Sequence, residues 1–509
     1  MISFVSSAAI NGIDADVITV ETYISSGLPI FSIVGLPDAA VKESKDRVFA
    51  ALKNSGFDFP SKKITVNLAP ADVKKEGGSF DLPIALSILA SSGVINPANL
   101  RRFCAAGELS LDGKIRKVKG VLPIALSLKK AGIQDFIVPF ANRREAAVAE
   151  GVNAYPVKTL AETVKFLNAE IRIEPFVCEN FEDVCAFAEN EYDFADVKGQ
   201  FYAKRAAEVA AAGAHNMIMS GPPGSGKSMI AKRIPAILPP LEYEESVETT
   251  KIWSVCGRSV SDGLIRRRTF RSPHHTTSAV ALAGGGAFPK PGEVSLAHNG
   301  VLFLDEFAEF RRDALEILRQ PLEDKCITVS RAKNTFEFPA SFMLVAAMNP
   351  CPCGNYGHAE KQCVCTPLQI KKYKSKISGP LLDRIDIHVE VPALKISEMT
   401  SLESGESSQR IKERVVKARL IQRERFKGTK IYANAQMSTK EIKRYCVMDA
   451  QALEILKISV EKLKFSARSY DKILKVSRTI ADLDSSALIK TAHIAEAVQY
   501  RAFDKQFEM

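Results

Sequence analysis

The stretch that decides the fold is HNMIMSGPPGSGKSMIAKRIPAIL, residues 215–238. A short apolar strand candidate, His215–Ser220, runs directly into GPPGSGKS, and a helix-like segment follows. Glycines let backbone N–H groups turn inward around phosphates, and a helix N-terminus adds the positive end of its dipole. The pattern G-x-x-x-x-G-K-S between a strand and a helix therefore predicts a nucleotide-binding α/β core. The loop residues are Gly221, Pro222, Pro223, Gly224, Ser225, Gly226, Lys227 and Ser228.

Roles within and beyond this loop follow from chemistry. Lys227 is expected to reach the β- and γ-phosphates, and Ser228 to hold Mg²⁺. Pro235 removes a backbone donor inside the expected helix, so we expect a kink or an end there.

An acidic pair follows about 75 residues after the loop. VLFLDEF, Val301–Phe307, has the pattern of a buried strand that ends in Asp305 and Glu306. Asp305 is predicted to support Mg²⁺, and Glu306 to orient and deprotonate the attacking water. The alternative for the motif alone is a surface acidic pair. A third strand candidate, Phe342–Ala347, leads to Asn349, whose amide can sense the γ-phosphate.

Length and composition limit the class of protein. The chain has 509 residues, of which 46% are apolar and 25% charged, and it suits about three globular domains. The net charge of +10 fits a polyanionic partner or simple solubility equally well. The N-terminus lacks the pattern of a signal peptide, and the sequence has no apolar run long enough for a membrane span. We expect a cytoplasmic protein with reduced cysteines.

Composition divides the chain into four parts. Residues 1–165 alternate strand and helix patterns and predict an α+β or α/β domain. Residues 166–193 are acidic and irregular, as in a linker with at most one short helix. Residues 194–395 form the α/β core, and residues 396–509 read as a loop followed by a helical bundle.

Four cysteines cluster in CPCGNYGHAEKQCVC, residues 351–365. Four thiolates can close a tetrahedral Zn²⁺ site, which here would be structural and would fasten a loop. The candidate ligands are Cys351, Cys353, Cys363 and Cys365, with His358 as a spare. The C-x-C spacing is tighter than the usual C-x₂-C, and four free thiols on a loop are the alternative.

The motifs together resemble one family. DVKGQ, GPPGSGKS, RSPHHTTS, PGEVSLAHNGVLFLDE, AMNPCPCG, SGPLLDRIDIHVEV and SARSYDKILKVSRTIADL are similar to the ComM/YifB proteins, which are described as magnesium-chelatase-like. The resemblance implies a Lon-protease-like α+β N-terminal domain, an AAA+ P-loop α/β core and a C-terminal helical lid domain. It also implies a hexameric ATP-dependent helicase that promotes DNA branch migration during recombination or natural transformation.

The resemblance assigns further site residues. Asn349 falls at the first sensor, and Arg384 in LLDRID at the arginine finger, which acts in a neighbouring subunit. The alternative for Arg384 is an ion pair with Asp383 or Asp386. Arg468 falls at the second sensor, with Arg478 in reserve.

In the same family, the segment upstream of the phosphate loop packs on the adenine. DVKGQ, residues 196–200, matches that segment, so Val197 and Gln200 are implied to line the base.

The N-terminal segment Lys74–Ser92 resembles the nucleophile region of Lon proteases, with Ser79 near the serine position. A serine of this kind needs a lysine to take its proton. Leu122 stands at the lysine position, and Lys119 and Lys129 are out of register. We therefore expect a protease fold without protease activity, used for assembly or DNA binding.

Two basic clusters could hold DNA phosphates in a ring, although solvent-exposed charge is an equal alternative. They consist of Arg266, Arg267, Arg268 and Arg271, and of Lys371, Lys372, Lys374 and Lys376. His274 and His275 near Gly284–Gly286 favour a structural or pore-loop role over metal binding. A DNA motor is the leading hypothesis. The alternatives are a magnesium-chelatase-type subunit that drives metal insertion and an ATP-dependent protease.

Overall fold

The computed structural model describes residues 2–177, 192–258, 263–286, 289–330, 335–358, 361–393, 405–429, 431–463 and 465–501. The chain divides into two compact units. The first comprises Met1–Phe187 and Glu242–Arg266, and the second comprises Ala188–Leu241 and Arg267–Met509. Within the described residues, no helix is long and apolar enough to cross a membrane.

The first unit is built on a mixed sheet in the order β3-β4-β2-β1-β5-β8-β9, with a separate β6-β7 pair. Its strands are β1 Ile2–Asn11, β2 Asp14–Ser25, β3 Ile30–Val34, β4 Lys63–Ala69, β5 Phe103–Ala105, β6 Glu108–Leu109, β7 Ile115–Arg116, β8 Asp135–Pro139 and β9 Asn153–Val157. β1 and β2 form an antiparallel hairpin, and Gly12 at its turn has a φ of 65°. The predicted strand Phe103–Leu109 is divided, because its two halves pair with different partners.

Helices of the first unit bury apolar faces against this sheet. They are α1 Ala39–Asn54, α2 Asp81–Ser91, α3 Pro97–Leu100, α4 Val121–Lys130, α5 Arg143–Ala146 and α6 Leu160–Leu167. Every residue of α2 is buried, which fits its almost uninterrupted apolar sequence. Asp38 caps α1 by accepting a hydrogen bond from the Val41 N–H. The predicted helix Arg143–Glu150 ends early, at Ala146.

One further helix of the first unit comes from the middle of the chain. This helix, α9, covers Tyr243–Val255 and belongs to the segment 242–266. Helices α7 (Phe201–Gly213) and α8 (Lys227–Ile237) precede it in the chain and belong to the second unit. The Tyr243 hydroxyl donates to the Val148 carbonyl at 2.9 Å, and Lys251 pairs with Asp14 at 2.5 Å. The boundaries predicted from composition assign this segment to the nucleotide-binding core, whereas in the structure it belongs to the first unit.

The second unit contains a parallel five-stranded sheet in the order β11-β14-β17-β10-β18. The strands of the unit are β10 Met217–Ser220, β11 Phe270–Arg271, β12 Gly284–Gly285, β13 Lys290–Pro291, β14 Val301–Leu304, β15 Cys326–Ser330, β16 Thr335–Pro339, β17 Met343–Met348 and β18 Ile387–Glu390. The phosphate-loop strand β10 lies between β17 and β18. The carboxyl ends of β10, β14 and β17 therefore meet at one edge, where a ligand site is expected in such sheets.

The helices of the second unit surround this sheet and continue into the C-terminal part. They are α7 Phe201–Gly213, α8 Lys227–Ile237, α10 Ala279–Ala283, α11 Glu293–Leu296, α12 Arg312–Glu316, α13 Arg319–Asp324, α14 Pro367–Lys374, α15 Gly379–Leu382, α16 Ser408–Arg425, α17 Thr439–Tyr445, α18 Ala450–Leu463, α19 Ala467–Leu483 and α20 Thr491–Gln499. The bundle expected from the sequence is present. One hydrophobic cluster joins it to the sheet, with Met219 and Val345 from the strands and Val415 and Ile480 from the helices.

Candidate nucleotide site

The loop Gly221–Gly226 connects β10 to α8 in the predicted strand–loop–helix order. Gly224 and Gly226 have φ angles of 77° and 92°, a left-handed conformation that glycine adopts without the steric cost of a Cβ. A Cβ on Gly221 would overlap the carbonyl oxygen of Val391. The helix α8 continues through Pro235 and ends at Ile237, so the proline ends it only two residues later.

Lys227 is held within the loop by main-chain carbonyls. Its ammonium donates to the carbonyl oxygens of Gly221 and Pro222 at 2.7 and 2.8 Å. Burial lowers the pKa of Lys227 to about 8, and the nearby Asp305 carboxylate only partly opposes this shift. The ammonium is therefore poorly solvated, and phosphate oxygens would offer it stronger acceptors than carbonyls do.

Ser228 and Asp305 meet as predicted. The Ser228 hydroxyl donates to Asp305 Oδ2 at 2.6 Å, across the gap between α8 and the end of β14. A hydroxyl and a carboxylate oxygen in contact are the hard oxygen donors that Mg²⁺ prefers. These two side chains therefore fit the predicted Mg²⁺ site.

Glu306 follows Asp305 in a left-handed conformation, with a φ of 52°. Its side chain is 55% exposed, and its Oε2 lies 2.8 Å from Nδ1 of His275. The His275 ring also packs against His274 and against the edge of Phe310. Sequence reasoning missed the contact between His275 and Glu306, since nothing in the local sequence relates the two positions.

Asn349 follows β17 and completes the cluster. Its Oδ1 lies 3.4 Å from the Lys227 ammonium. Tyr373 on α14 is buried near Asn349, and burial raises the pKa of its hydroxyl. The structure thus brings together Lys227, Ser228, Asp305 and Asn349.

The predicted arginines lie elsewhere. The Arg384 guanidinium pairs with Glu323 and donates to the Pro380 carbonyl at 2.5 Å, so neither Asp383 nor Asp386 is its partner. Arg468 is 66% exposed at the start of α19, with its Nη1 3.9 Å from Asp383.

The reserve residue Arg478 is buried in the helical part. It donates to Asp482 and to the carbonyls of Ser486 and Ala487, so its guanidinium stabilises the end of α19.

The two residues predicted to line the base have different environments. Val197 is 2% exposed and packs in the hydrophobic core of the second unit. Gln200 donates from Nε2 to the carbonyls of Ser225 and Pro392 at 3.2 and 2.7 Å. Gln200 therefore connects the phosphate loop to the chain after β18.

The cysteine cluster fits a zinc ion. The sulfur of Cys351 lies 3.4 Å from that of Cys353 and 3.7 Å from that of Cys363, and the last two are 3.6 Å apart. With Cys365 included, all four sulfurs lie within 4.8 Å of one another. Tetrahedral zinc with Zn–S bonds of about 2.3 Å places sulfurs about 3.8 Å apart. Backbone N–H groups of Asn355 and Val364 lower the pKa of Cys353. Backbone N–H groups also act to lower the pKa of Cys363 and of Cys365, but burial and the neighbouring sulfurs outweigh them and raise both values.

The same loop touches the phosphate loop. A Cβ on Gly354 would lie 2.5 Å from Cδ of Pro223, so the two loops pack at van der Waals distance. The cysteine loop and the phosphate loop are therefore in direct contact at Gly354 and Pro223.

The two basic clusters differ in their availability. Arg268 donates to the carbonyls of Pro239 and Asn299, and Arg271 pairs with Glu293, so both stabilise the fold. In the lysine cluster, Lys371 and Lys372 are exposed on α14.

Ser79 lies in a short 3₁₀ turn, Gly78–Phe80, in the first unit. Leu122 is fully buried and clusters with Val148 and with Leu264 of the segment 242–266. In the described part of the chain, no lysine donates a hydrogen bond to Ser79. The buried Lys75 amine donates to the Pro70 carbonyl instead.

Comparisons with known proteins identify the family of the chain. The chain is 44% identical to Competence protein ComM of Haemophilus influenzae over 504 residues, which cover 98% of this chain and 97% of the relative. The chain belongs to the ComM/YifB family. It is also 42% identical to the uncharacterized protein YifB of Escherichia coli, over 99% of this chain and 98% of the relative.

Three family models match consecutive parts of this ComM/YifB chain. They are described as Subunit ChlI of Mg-chelatase (residues 20–142), Magnesium chelatase, subunit ChlI (193–399) and Magnesium chelatase, subunit ChlI C-terminal (405–501). A Lon protease of Buchnera aphidicola is 23% identical over 165 residues, 30% of this chain and 21% of the relative. Membership among the magnesium-chelatase-type AAA ATPases implies ATP hydrolysis with Mg²⁺. The family predicted from the sequence motifs is confirmed.

Proposed function

We propose that this protein is an ATP-driven DNA motor, a hexameric cytoplasmic helicase that promotes branch migration during recombination or natural transformation. The observation that carries the ATPase part is the convergence of Lys227, Ser228, Asp305 and Asn349 at one edge of a parallel sheet. The relative named as a competence protein, similar over nearly its whole length, supports the role in transformation.

Each residue of the site has a proposed task. The loop N–H groups and Lys227 bind the β- and γ-phosphates, and Ser228 and Asp305 hold Mg²⁺, which neutralises charge on the phosphates. Glu306 accepts a proton from the attacking water, while His275 orients its carboxylate. Asn349 positions that water beside the γ-phosphate.

The remaining assignments concern the lid, the neighbouring subunit and the base. Arg384 acts as the finger in the adjacent subunit, which requires its guanidinium to leave Glu323. Arg468 reaches the γ-phosphate from the lid helix. Val197 and Gln200 support the adenine pocket, Val197 through the packing beneath it and Gln200 through its bonds to the loop.

The proposal of DNA as partner is supported by the exposed lysines of α14. Lys371 and Lys372 lie on the helix that carries the buried Tyr373, which lies near Asn349. Phosphates that bind these lysines would thus act close to the catalytic residues. Because phosphate binding releases counterions, such binding would weaken steeply with salt.

The cysteine cluster is proposed to hold one structural Zn²⁺. Its sulfur separations suit a four-thiolate site, and its contact with Pro223 gives such a site a role near ATP. The Nδ1 of His358, the spare candidate ligand, accepts a hydrogen bond from the Lys361 N–H.

Two other functions have specific support. The names of the matching family models favour a magnesium-chelatase-type subunit that drives metal insertion. The Lon likeness of the first unit favours an ATP-dependent protease, but the buried Leu122 argues against it.

ATP hydrolysis measured with and without branched or single-stranded DNA, at low and physiological salt, separates these functions. DNA should raise the rate of ATP hydrolysis by the parent protein, and Glu306→Gln should abolish ATP hydrolysis with or without DNA. Lys371→Ala with Lys372→Ala should reduce the stimulation, whereas Lys417→Ala, an exposed lysine on α16, should not. A rate that no DNA changes would contradict the motor and favour a protein or porphyrin client.

A further inference from the structure

A group of buried polar side chains surrounds the turn 384–386, between α15 and β18. Asn216, just before β10, donates from Nδ2 to the Arg384 carbonyl at 3.1 Å. Its Oδ1 accepts from the Leu344 N–H on β17 at 2.9 Å. From the C-terminal end, Arg501 donates from Nη1 to the Ile385 carbonyl at 2.6 Å. Two successive carbonyls of the turn are thus fixed by side chains that are distant in sequence.

Asp386 ends the turn and is only 7% exposed. Its Oδ2 lies 3.2 Å from Nδ1 of the fully buried His215, and its Oδ1 lies 2.8 Å from the ammonium of Lys472. Burial by itself would raise the pKa of Asp386, but the charge of Lys472 and the hydrogen bond from His215 bring it well below the usual value. The carboxylate is therefore ionised inside the protein.

These contacts connect the turn to α19, the helix that begins beside Arg468. Lys472 lies on α19 and pairs with Asp386. Thr479, two turns later, makes a hydrogen bond of 2.8 Å with Nε2 of His215. Ser469 accepts from Nη2 of Arg501 at 3.0 Å. Three polar links thus join one helix to one turn.

The fixed backbone contrasts with the side chain that the turn carries. Arg384 Nε is buried and has no hydrogen-bond partner within the described residues. Its guanidinium pairs with Glu323 and donates to the Pro380 carbonyl; the Arg384 side chain is 13% exposed and that of Glu323 is 53% exposed. The contacts of the guanidinium are separate from the bonds that hold the carbonyls of residues 384 and 385, so a change of partner by the guanidinium leaves the backbone beneath it in place.

Stability alone does not account for the arrangement. A buried ion pair is costly to desolvate, and apolar residues of similar volume often serve folding equally well. The hydrogen bonds and the ion pair of Asp386 are directional, so they fix the position of the turn relative to α19. We propose that Asp386 is a positioning residue for Arg384: it fixes the turn to α19, so that Arg384 is presented to the neighbouring subunit only when the helix that carries Arg468 is docked. This inference rests on the proposed role of Arg384 in a neighbouring subunit.

Mixed oligomers test the proposal. Asp386→Asn keeps the volume and removes the charge. We expect its kcat for ATP to fall at least about tenfold, a fraction of the value of an arginine finger, with an unchanged Kd for ATP. Addition of Lys227→Ala subunits, which lack a working ATP site but keep the turn intact, should raise hydrolysis per Asp386→Asn subunit. A variant that had lost its own ATP site could not be rescued in this way.

Controls separate the possible failures. Asp482→Asn removes another buried carboxylate of α19, one that pairs with Arg425 and Arg478 and does not touch the turn, and it should keep kcat. An equal loss of kcat there, or no rescue of Asp386→Asn, overturns the proposal. If Arg384→Ala is rescued and Asp386→Asn is not, only this inference fails; if neither is rescued, the finger role fails as well. Lys472→Met makes the same test should Asp386→Asn not fold.

Discussion

The contact between the cysteine loop and the phosphate loop can be tested with two glycines of one loop. Gly354 and Gly357 have φ angles of 80° and 78°, so an alanine at either position carries the same backbone strain, about 1–2 kcal/mol. A Cβ on Gly357 meets nothing within 4 Å, whereas a Cβ on Gly354 lies 2.5 and 2.8 Å from Cδ and Cγ of Pro223. Carbon atoms prefer separations of about 3.5–4.0 Å, so the overlap is about 1 Å.

Overpacking of this size costs about 1–3 kcal/mol, and the proline ring cannot rotate out of the way. We expect the phosphate loop to move, so Gly354→Ala should bind ATP roughly 5- to 150-fold more weakly than Gly357→Ala. Titration with a fluorescent ATP analogue gives the two Kd values, and thermal unfolding gives the stability of each variant. Equal Kd values for the two variants would refute the coupling of the loops.

Three further predictions concern the same site. His275→Ala should lower kcat at least about tenfold at an unchanged Kd for ATP, because a Glu306 without this contact loses part of the usual gain from general-base catalysis. If steady-state kinetics show the same kcat for the variant and the parent, His275 has no role in positioning Glu306. With a pKa of about 8, Lys227 loses its proton as the pH rises, so the Kd for ATP should increase about tenfold between pH 7 and pH 9. Lys227→Arg should abolish this dependence, since arginine stays charged. Metal analysis should find one zinc per chain, which Cys353→Ser removes and Cys326→Ser, on β15, retains; zinc-free parent protein would end that assignment.

That Lys227, Ser228, Asp305 and Asn349 lie together could be predicted because the signals are local. The glycine spacing, the strand before it and the acidic pair after β14 each reflect the conformation of a few neighbouring residues. The same holds for the cysteine cluster, where two C-x-C pairs suffice to suggest a metal. Hydrophobic patterning likewise located most of the helices and strands, with errors mainly at their ends.

Other features depend on partners that no local pattern reveals. Glu323 as the partner of Arg384, and His275 as the partner of Glu306, require the tertiary fold. Arg478 bonds to Asp482 and is buried in the helical part. Sequence spacing alone does not distinguish this structural role from a role at the nucleotide.

The association of segment 242–266 with the first unit has a practical consequence for any attempt to obtain a smaller ATPase. The chain passes between the units three times, so removal of residues 1–187 would leave the apolar side of α9, including Tyr243 and Val247, without its cover. The ends of the segment are nevertheless held together. Arg268 donates to the carbonyls of Pro239 and Pro240 at 2.7 and 3.3 Å, on the two sides of the excision. In a fragment that starts near residue 192, a few flexible residues can therefore replace 242–266 and connect residue 241 to residue 267. Simple truncation of residues 1–187 instead leaves α9 exposed.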